Sequence, residues 1–512
     1  MSGQIDFYSL TRTIGGTFSE AQDWPARPVE GGRLTREALA HLVRRHEWDH
    51  LVGMLASPLG LLLWRIELTH VVDASWFAAR MQEAGVTAAP GGLARWFSDG
   101  HNRQQFMEAA ARGRFSPRNP LASQSDVIEA ADSYIEGLTA ARELHELIFG
   151  RFIRADARVA DLQRAANIGH RYIAVRSDLP PVWWFSRRDP SAPLYGPAKV
   201  NARHILEAMA REYERDVLVR EGIPPQVIAL WESSMYTGTY RPVIKLLRDA
   251  GLQGIPARNL CATAIDGRLD PATVAAPPRP LFIEDEMPWI RLERLLQAFR
   301  DSGLIPDDLR SKPAIEQLCA TAGLPSPRGA FQAAAAQPLL GAGANWDPLN
   351  RSGLAAGDKS ALTLHLLVED AMMDLPRWFK RSSVAQANAW ATGGVVTPDL
   401  PNAPVLYDDE ATLMPQSAGD EHALLRELAR WCARLTAEHR MAFVTGRPAT
   451  SRSEMARKVR AGMIRVGLAA DTATDYAQHL FGSPKQAGVI DYFVPPVIRE
   501  SLKFIRDDLA GI

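Results

Sequence analysis

The chain has 512 residues, of which 46% are hydrophobic and 23% charged, and its formal net charge is −1. That composition excludes wholesale disorder and supports a packed core. The charge balance excludes a global electrostatic footprint for nucleic acid, which is therefore not an expected partner.

The first residues, "MSGQIDFYSLTRTIGG", have no basic region and no apolar run of the kind a signal peptide carries. "IDFYSL" within them reads as a short strand. Helical periodicity then dominates, with helices expected at 35–56, 59–85, 125–149, 156–168, 198–221, 290–302, 359–379, 420–439 and 451–480. The most apolar stretch, "LVGMLASPLGLLLW", is too short to span a bilayer and is broken by Ser57-Pro58 and Gly60, so no membrane partner is expected. Further strand-like runs are "RYIAVRS" and "PVWWF" between 171 and 185, and "MAFVTG" at 441–446. Irregular, Pro- or Gly-rich stretches at 270–288, 323–348 and 391–420 read as linkers. The expected class is mainly α with minor β (α+β), divided into units at 1–155, 156–285 and 286–512, the last being helical. Cys261, Cys319 and Cys432 are far apart and odd in number. They suggest no disulfide framework and fit a reducing, cytoplasmic setting.

One string carries most of the chemical information. "RRHEWDHLVGML" begins at Arg44 and lies in the first expected helix, for which Thr35 is a suitable N-cap. Leu39, Leu42, Val43, His46, His50, Gly53 and Met54 recur at spacings of three and four and share one face, while Arg44, Arg45 and Asp49 fall mostly off it. His46 and His50 are one turn apart. Two imidazoles so placed can take two corners of a tetrahedral Zn²⁺ site. Glu47, next to the first of them, is turned aside from the metal and is placed to deprotonate a metal-bound water as general base. The alternative is an interior helix with two satisfied histidines.

His46-Glu47-Trp48-Asp49-His50 resembles the His-Glu-x-x-His signature of the zincin metallopeptidases, with Arg44-Arg45 and Asp49 as departures from the mostly uncharged family pattern. The resemblance covers about 35–150 and implies a zincin-like, helical N-terminal catalytic unit. In the gluzincin branch the third ligand is a Glu on a later helix, within a Glu-Gly-x-Ala-like string. Ile135-Glu136-Gly137-Leu138-Thr139-Ala140 is similar to that string, which implies Glu136 as third ligand. Glu129 and Asp132 on the same face, and Glu67, His70 and Asp73 in the intervening insertion, are its rivals. Glu143 could orient a ligating imidazole. For an oxyanion stabiliser Tyr134, His145, His170 and Tyr172 stay open.

Other strings carry less. Glu47-x-x-His50 is also half of a di-iron bundle signature. Trp183 and Trp184 suit opposite sides of a short strand. The basic run at 443–460 lacks a phosphate-loop core, and no Gly-x-Ser-x-Gly string is present. The expectation is a zinc-dependent metallopeptidase-like hydrolase with His46, His50 and Glu136 on Zn²⁺, Glu47 as base, and a peptide or protein as substrate. The alternative is a non-catalytic helical scaffold with a structural or degenerate metal site.

Overall fold

In a computed structural model of the chain, the residues described are 24–66, 68–70, 93–111, 124–150, 152–235, 241–274 and 280–325. Four short strands at 3–6, 11–14, 405–407 and 413–414 and a few helical residues between 457 and 474 complete them. The helices expected at 359–379 and 420–439, the strand at 441–446, Cys432 and most of the stretches at 323–348 and 391–420 lie outside the described residues. The described chain is mainly α with minor β, 69% helical and 4% strand.

Strands β1 (Gly3–Asp6) and β2 (Thr11–Ile14) form an antiparallel pair, and β3 (Val29–Glu30) and β4 (Arg33–Leu34) a second one. Helix α1 (Arg36–Leu55) follows. Thr35 caps it as the sequence suggests, its hydroxyl accepting from the Ala38 N–H at 3.3 Å. Helix α2 (Pro58–His70) leaves α1 at 88°. The turn is fastened by Ser57, whose Oγ donates to Met54 O and accepts from Gly60 N.

Next come α3 (Leu93–Ser98), α4 (Gly100–Ala111), α5 (Gln124–Phe149) and α6 (Val159–Arg176). The run "RYIAVRS", expected as a strand, is the last part of α6. Its β-branched residues suggested a strand locally. The longer pattern governs: Leu162, Ala166, Gly169 and Ile173 are buried while Arg171 and Val175 face out, a helical stripe.

Strand β5 (Trp184–Phe185) buries Trp184 and exposes Trp183 and Phe185, the alternation a strand imposes. It is followed by α7 (Ala202–Arg220), α8 (Pro225–Met235), α9 (Arg241–Asp249) and α10 (Gly254–Ile265). Every residue of α10 is buried. Such a helix has no polar face and so no amphipathic period to read.

The stretch expected as a linker at 270–288 is, where described, packed structure. Asp270 is fully buried, Pro271–Thr273 form a 3₁₀ turn, and β6 (Leu281–Phe282) pairs in parallel with β5. Pro271 and Pro288 each stand at the first position of a helical turn, where the missing N–H costs nothing. Helices α11 (Pro288–Ser302) and α12 (Lys312–Thr321) follow. Strands β7 (Val405–Tyr407) and β8 (Leu413–Met414) join β1 and β2 in a sheet ordered β1-β2-β7-β8.

One apolar cluster runs from Met54 in α1 through α5, α6, α7 and α10 to Leu324. Both expected unit boundaries, near 155 and 285, fall within it: α5 packs along α6, and Leu292 and Leu295 of α11 join Leu206 and Met209 of α7. Among the described residues no single helix is long and apolar enough to cross a membrane.

Candidate metal centre

The site is built in the seam between α1 and α7. Helix α7 starts at Asn201, whose Oδ1 accepts from His204 N at 3.2 Å and whose Nδ2 donates to Gly150 O at 2.8 Å. That anchorage fixes the register of α7 against the end of α5. On α1, Gly53 makes room for the terminal methyl of Met209 of α7, which a Cβ there would overlap.

Three side chains converge in this seam. Glu207 of α7 directs Oε2 at His46 Nε2, 3.2 Å away, and at His50 Nε2, 3.4 Å away. The two rings lie 4.5 Å apart at 85°. All three ligand atoms are within 4.8 Å of one another, and the group could hold a metal ion. In a tetrahedral zinc site with bonds of about 2.0–2.1 Å, neighbouring ligand atoms sit roughly 3.3 Å apart. Both Nε2–Oε2 separations match that edge.

The other nitrogen of His46 has its own partner. Nδ1 lies 3.5 Å from Glu214 Oε2, and Glu214 is held by Arg211 Nη1 at 2.5 Å. The Arg211 guanidinium lies 3.5 Å from the centre of the Trp231 ring of α8. A carboxylate on Nδ1 places the imidazole proton there. Nε2 then presents a lone pair to a carboxylate oxygen, and two acceptors face each other. Only a proton or another cation between them makes that contact favourable.

The charges respond accordingly. Burial is the largest influence on His46 and acts to lower its pKa. Glu214, then Glu207 and Glu47, outweigh it and hold the imidazole well above its ordinary value. Burial likewise acts to raise Glu207, yet the hydrogen bonds and charges of His46 and His50 take it well below the usual carboxylate range. Glu214 is lowered too, burial being overcome by Arg211 and His46. The cluster behaves as an acid-rich pocket that takes up positive charge.

Glu47 is only 4% exposed, and its charge acts on His46. Asp49 is not an outward residue, as its place off the apolar stripe suggested. It is buried and bonded to Arg258 of α10, with Nε at 2.9 Å and Nη2 at 2.5 Å.

The structure brings together His46, His50 and Glu47 of the expected site but not Glu136. Glu136 is exposed on α5 and is no member of the group around the imidazoles. Gly137 beside it serves a different contact, since a Cβ there would overlap the Tyr172 ring of α6. Asp132 is exposed and paired with Arg103, and Glu143 pairs with Arg164 and Arg154. His70 is buried on α2 and is also outside the group. Tyr172 and His170 belong to the core around α6. Glu67, Asp73 and the side chains of Glu129 and Tyr134 lie outside the described residues. Glu207, which sequence reasoning missed, is 161 residues from His46. It opens the string Glu207-Ala208-Met209-Ala210, the same small-residue spacing with Ala in place of Gly. No protein-family description, curated protein or solved structure matches the chain.

Proposed function

We propose that the protein is a zinc-dependent hydrolase of metallopeptidase type. His46, His50 and Glu207 hold the ion, and Glu47 is the general base. The observation that carries this reading is the pair of Nε2–Oε2 separations, 3.2 and 3.4 Å, between two imidazoles and one carboxylate. Two nitrogens and one oxygen are a donor set that suits zinc and leaves a fourth position open. When bound, zinc would acidify a water and polarise a substrate carbonyl.

The chain's own residues do the rest. Glu214 keeps the proton on His46 Nδ1, and Arg211 keeps Glu214 in place. Glu47 takes a proton from the attacking water and returns it to the leaving amine. The substrate is a peptide or protein. Cys261 and Cys319, buried and in no disulfide among the described residues, fit a reducing compartment, and we assign the protein to the cytoplasm.

A structural zinc site without turnover is the second reading, and the 4% exposure of Glu47 favours it. Elemental analysis of the purified chain should find zinc, lost in His46→Ala/His50→Ala and in Glu207→Gln but kept in Glu136→Gln. Zinc retained in Glu207→Gln would remove that ligand. Glu47→Gln should keep zinc and lower peptide turnover by about 10²-fold or more. Unchanged turnover, or none in the parent, would leave only the structural site.

A further inference from the structure

We propose that Arg203 makes the metal position a binding site for ligands that carry a carboxylate. The inference rests on the zinc reading and deepens it, because it selects substrates whose carboxylate lies beside the bond attacked.

The two oxygens of Glu207 are used differently. Oε2 faces both imidazoles, at 3.2 and 3.4 Å. Oε1 faces the guanidinium of Arg203, one turn earlier on α7, with Nε at 3.8 Å. That separation is too long for a hydrogen bond. Among the described residues Arg203 has no closer acceptor. A guanidinium has five N–H donors in a planar fork that matches a carboxylate in two parallel bonds. Those donors stand beside the cation position and, among the described residues, make no hydrogen bond.

Access points the same way. The side chains of His46 and Glu214 are 9% and 3% exposed, those of His50 and Glu207 14% and 16%, and that of Arg203 36%. The cluster is therefore closed on the Glu214 side and opens along Glu207 toward Arg203. A ligand entering by that side meets the guanidinium as it reaches the ion.

The charges of these groups favour an anion as well. Arg211 is tied to Glu214 inside the protein and cannot turn outward. With Glu207, Glu214 and Glu47 ionised, a divalent ion together with Arg203 and Arg211 leaves the cluster positive by one charge. A cation placed next to a metal position weakens metal binding on its own account. Arg203 thus opposes the ion and favours an anionic ligand. Its removal should act in opposite directions on the two, whereas a residue that only held α7 in shape would weaken both.

The test uses the full chain loaded with Co²⁺, whose visible absorption reports on its ligands, titrated with acetate and with its neutral isostere acetamide. Acetate should change the parent spectrum at concentrations about tenfold or more below those needed in Arg203→Met, the span of one charge-assisted hydrogen bond. Acetamide should have no comparable effect. Arg203→Met should bind Co²⁺ as tightly as the parent or tighter, which also shows that the seam is folded. Arg203→Lys, with charge but no fork, should fall between the two in acetate binding. Equal acetate titrations of parent and Arg203→Met, acetamide as effective as acetate, or weaker Co²⁺ binding in Arg203→Met would each overturn the proposal while leaving the zinc reading in place. Failure of the parent to bind Co²⁺ would overturn both, and it would be seen before any acetate is added.

Discussion

Two buried histidines in this molecule behave in opposite ways. His170 of α6 is fully enclosed, its Nδ1 accepts a hydrogen bond from Trp184 Nε1, and burial takes its pKa down to about 3. His46 of α1 is nearly as enclosed, and burial is again the largest single influence, yet its pKa is raised. The difference is the company. His170 packs on an indole, while His46 has Glu207, Glu214 and Glu47 around it. Depth alone therefore does not separate a core histidine from a ligand. The carboxylates that face it do, because a buried neutral imidazole needs only a hydrogen bond, whereas buried anions require a cation.

The acids of α1 repeat the lesson at closer range. Asp49 stands between His46 and His50 in sequence, but its carboxylate has a guanidinium of its own, and both Arg258 and Asp49 side chains are 1% exposed. It is a matched charge and belongs to the fold. Arg258→Met would strand Asp49 in the interior and should cost about 3–5 kcal/mol, the largest effect expected here. The double replacement Asp49→Leu/Arg258→Met should recover most of it, since two apolar groups of similar size carry no desolvation penalty. Urea midpoints measure both. A single-variant loss below about 1 kcal/mol would mean that Asp49 is satisfied elsewhere, and the division between matched and unmatched acids would break down.

His170 gives the next test, through pH. Its folded pKa lies below the unfolded value of about 6.5. Between these values the unfolded chain binds a proton that the folded chain refuses. Stability from this group is therefore present above about pH 6.5 and lost as pH falls toward 3. At pH 5 the loss should be about 2 kcal/mol relative to pH 8. His170→Gln, which keeps an acceptor for the Trp184 N–H, should flatten that limb by a similar amount in urea titrations at the two pH values. An unchanged acid limb would show that His170 is protonated in the fold, and the contrast with His46 would vanish.

Much of this was legible in the sequence, and the rest failed for identifiable reasons. Thr35, the spacing of three and four, and His46 and His50 on one face all describe α1 as it stands, because a cap and an amphipathic stripe are local properties. The third carboxylate is not local. Glu207 is one acid among several on a helix of ordinary composition, and nothing in its own turn names its partner. The glycine string at Glu136 implied a third ligand, but Gly137 instead serves a close contact with Tyr172 of α6. The outward reading of Asp49 failed for a related reason: its partner sits in α10, a helix buried on every side that gives no periodic signal. The strand expected at "RYIAVRS" shows the reverse error, where a short β-branched run was weighed above the longer helical stripe that contains it.

The smallest expected effect asks what holds the seam together. Gly53 sits where a Cβ would overlap the terminal methyl of Met209, the free end of a chain with three rotatable bonds. Gly53→Ala should therefore displace that methyl and leave the helix axes in place, at a cost of about 1 kcal/mol by overpacking. Met209→Ala in the same chain should relieve the overlap. Zinc affinity should stay within about threefold of the parent, because His46, His50 and Glu207 approach one another through side chains on other turns, and a factor of three is under 1 kcal/mol. A loss of zinc as complete as that from removing His46 would mean that backbone spacing at Gly53, and not the acid-rich surroundings of the imidazoles, decides whether the site binds. The lesson drawn from the two histidines would then have to be rewritten in terms of helix packing.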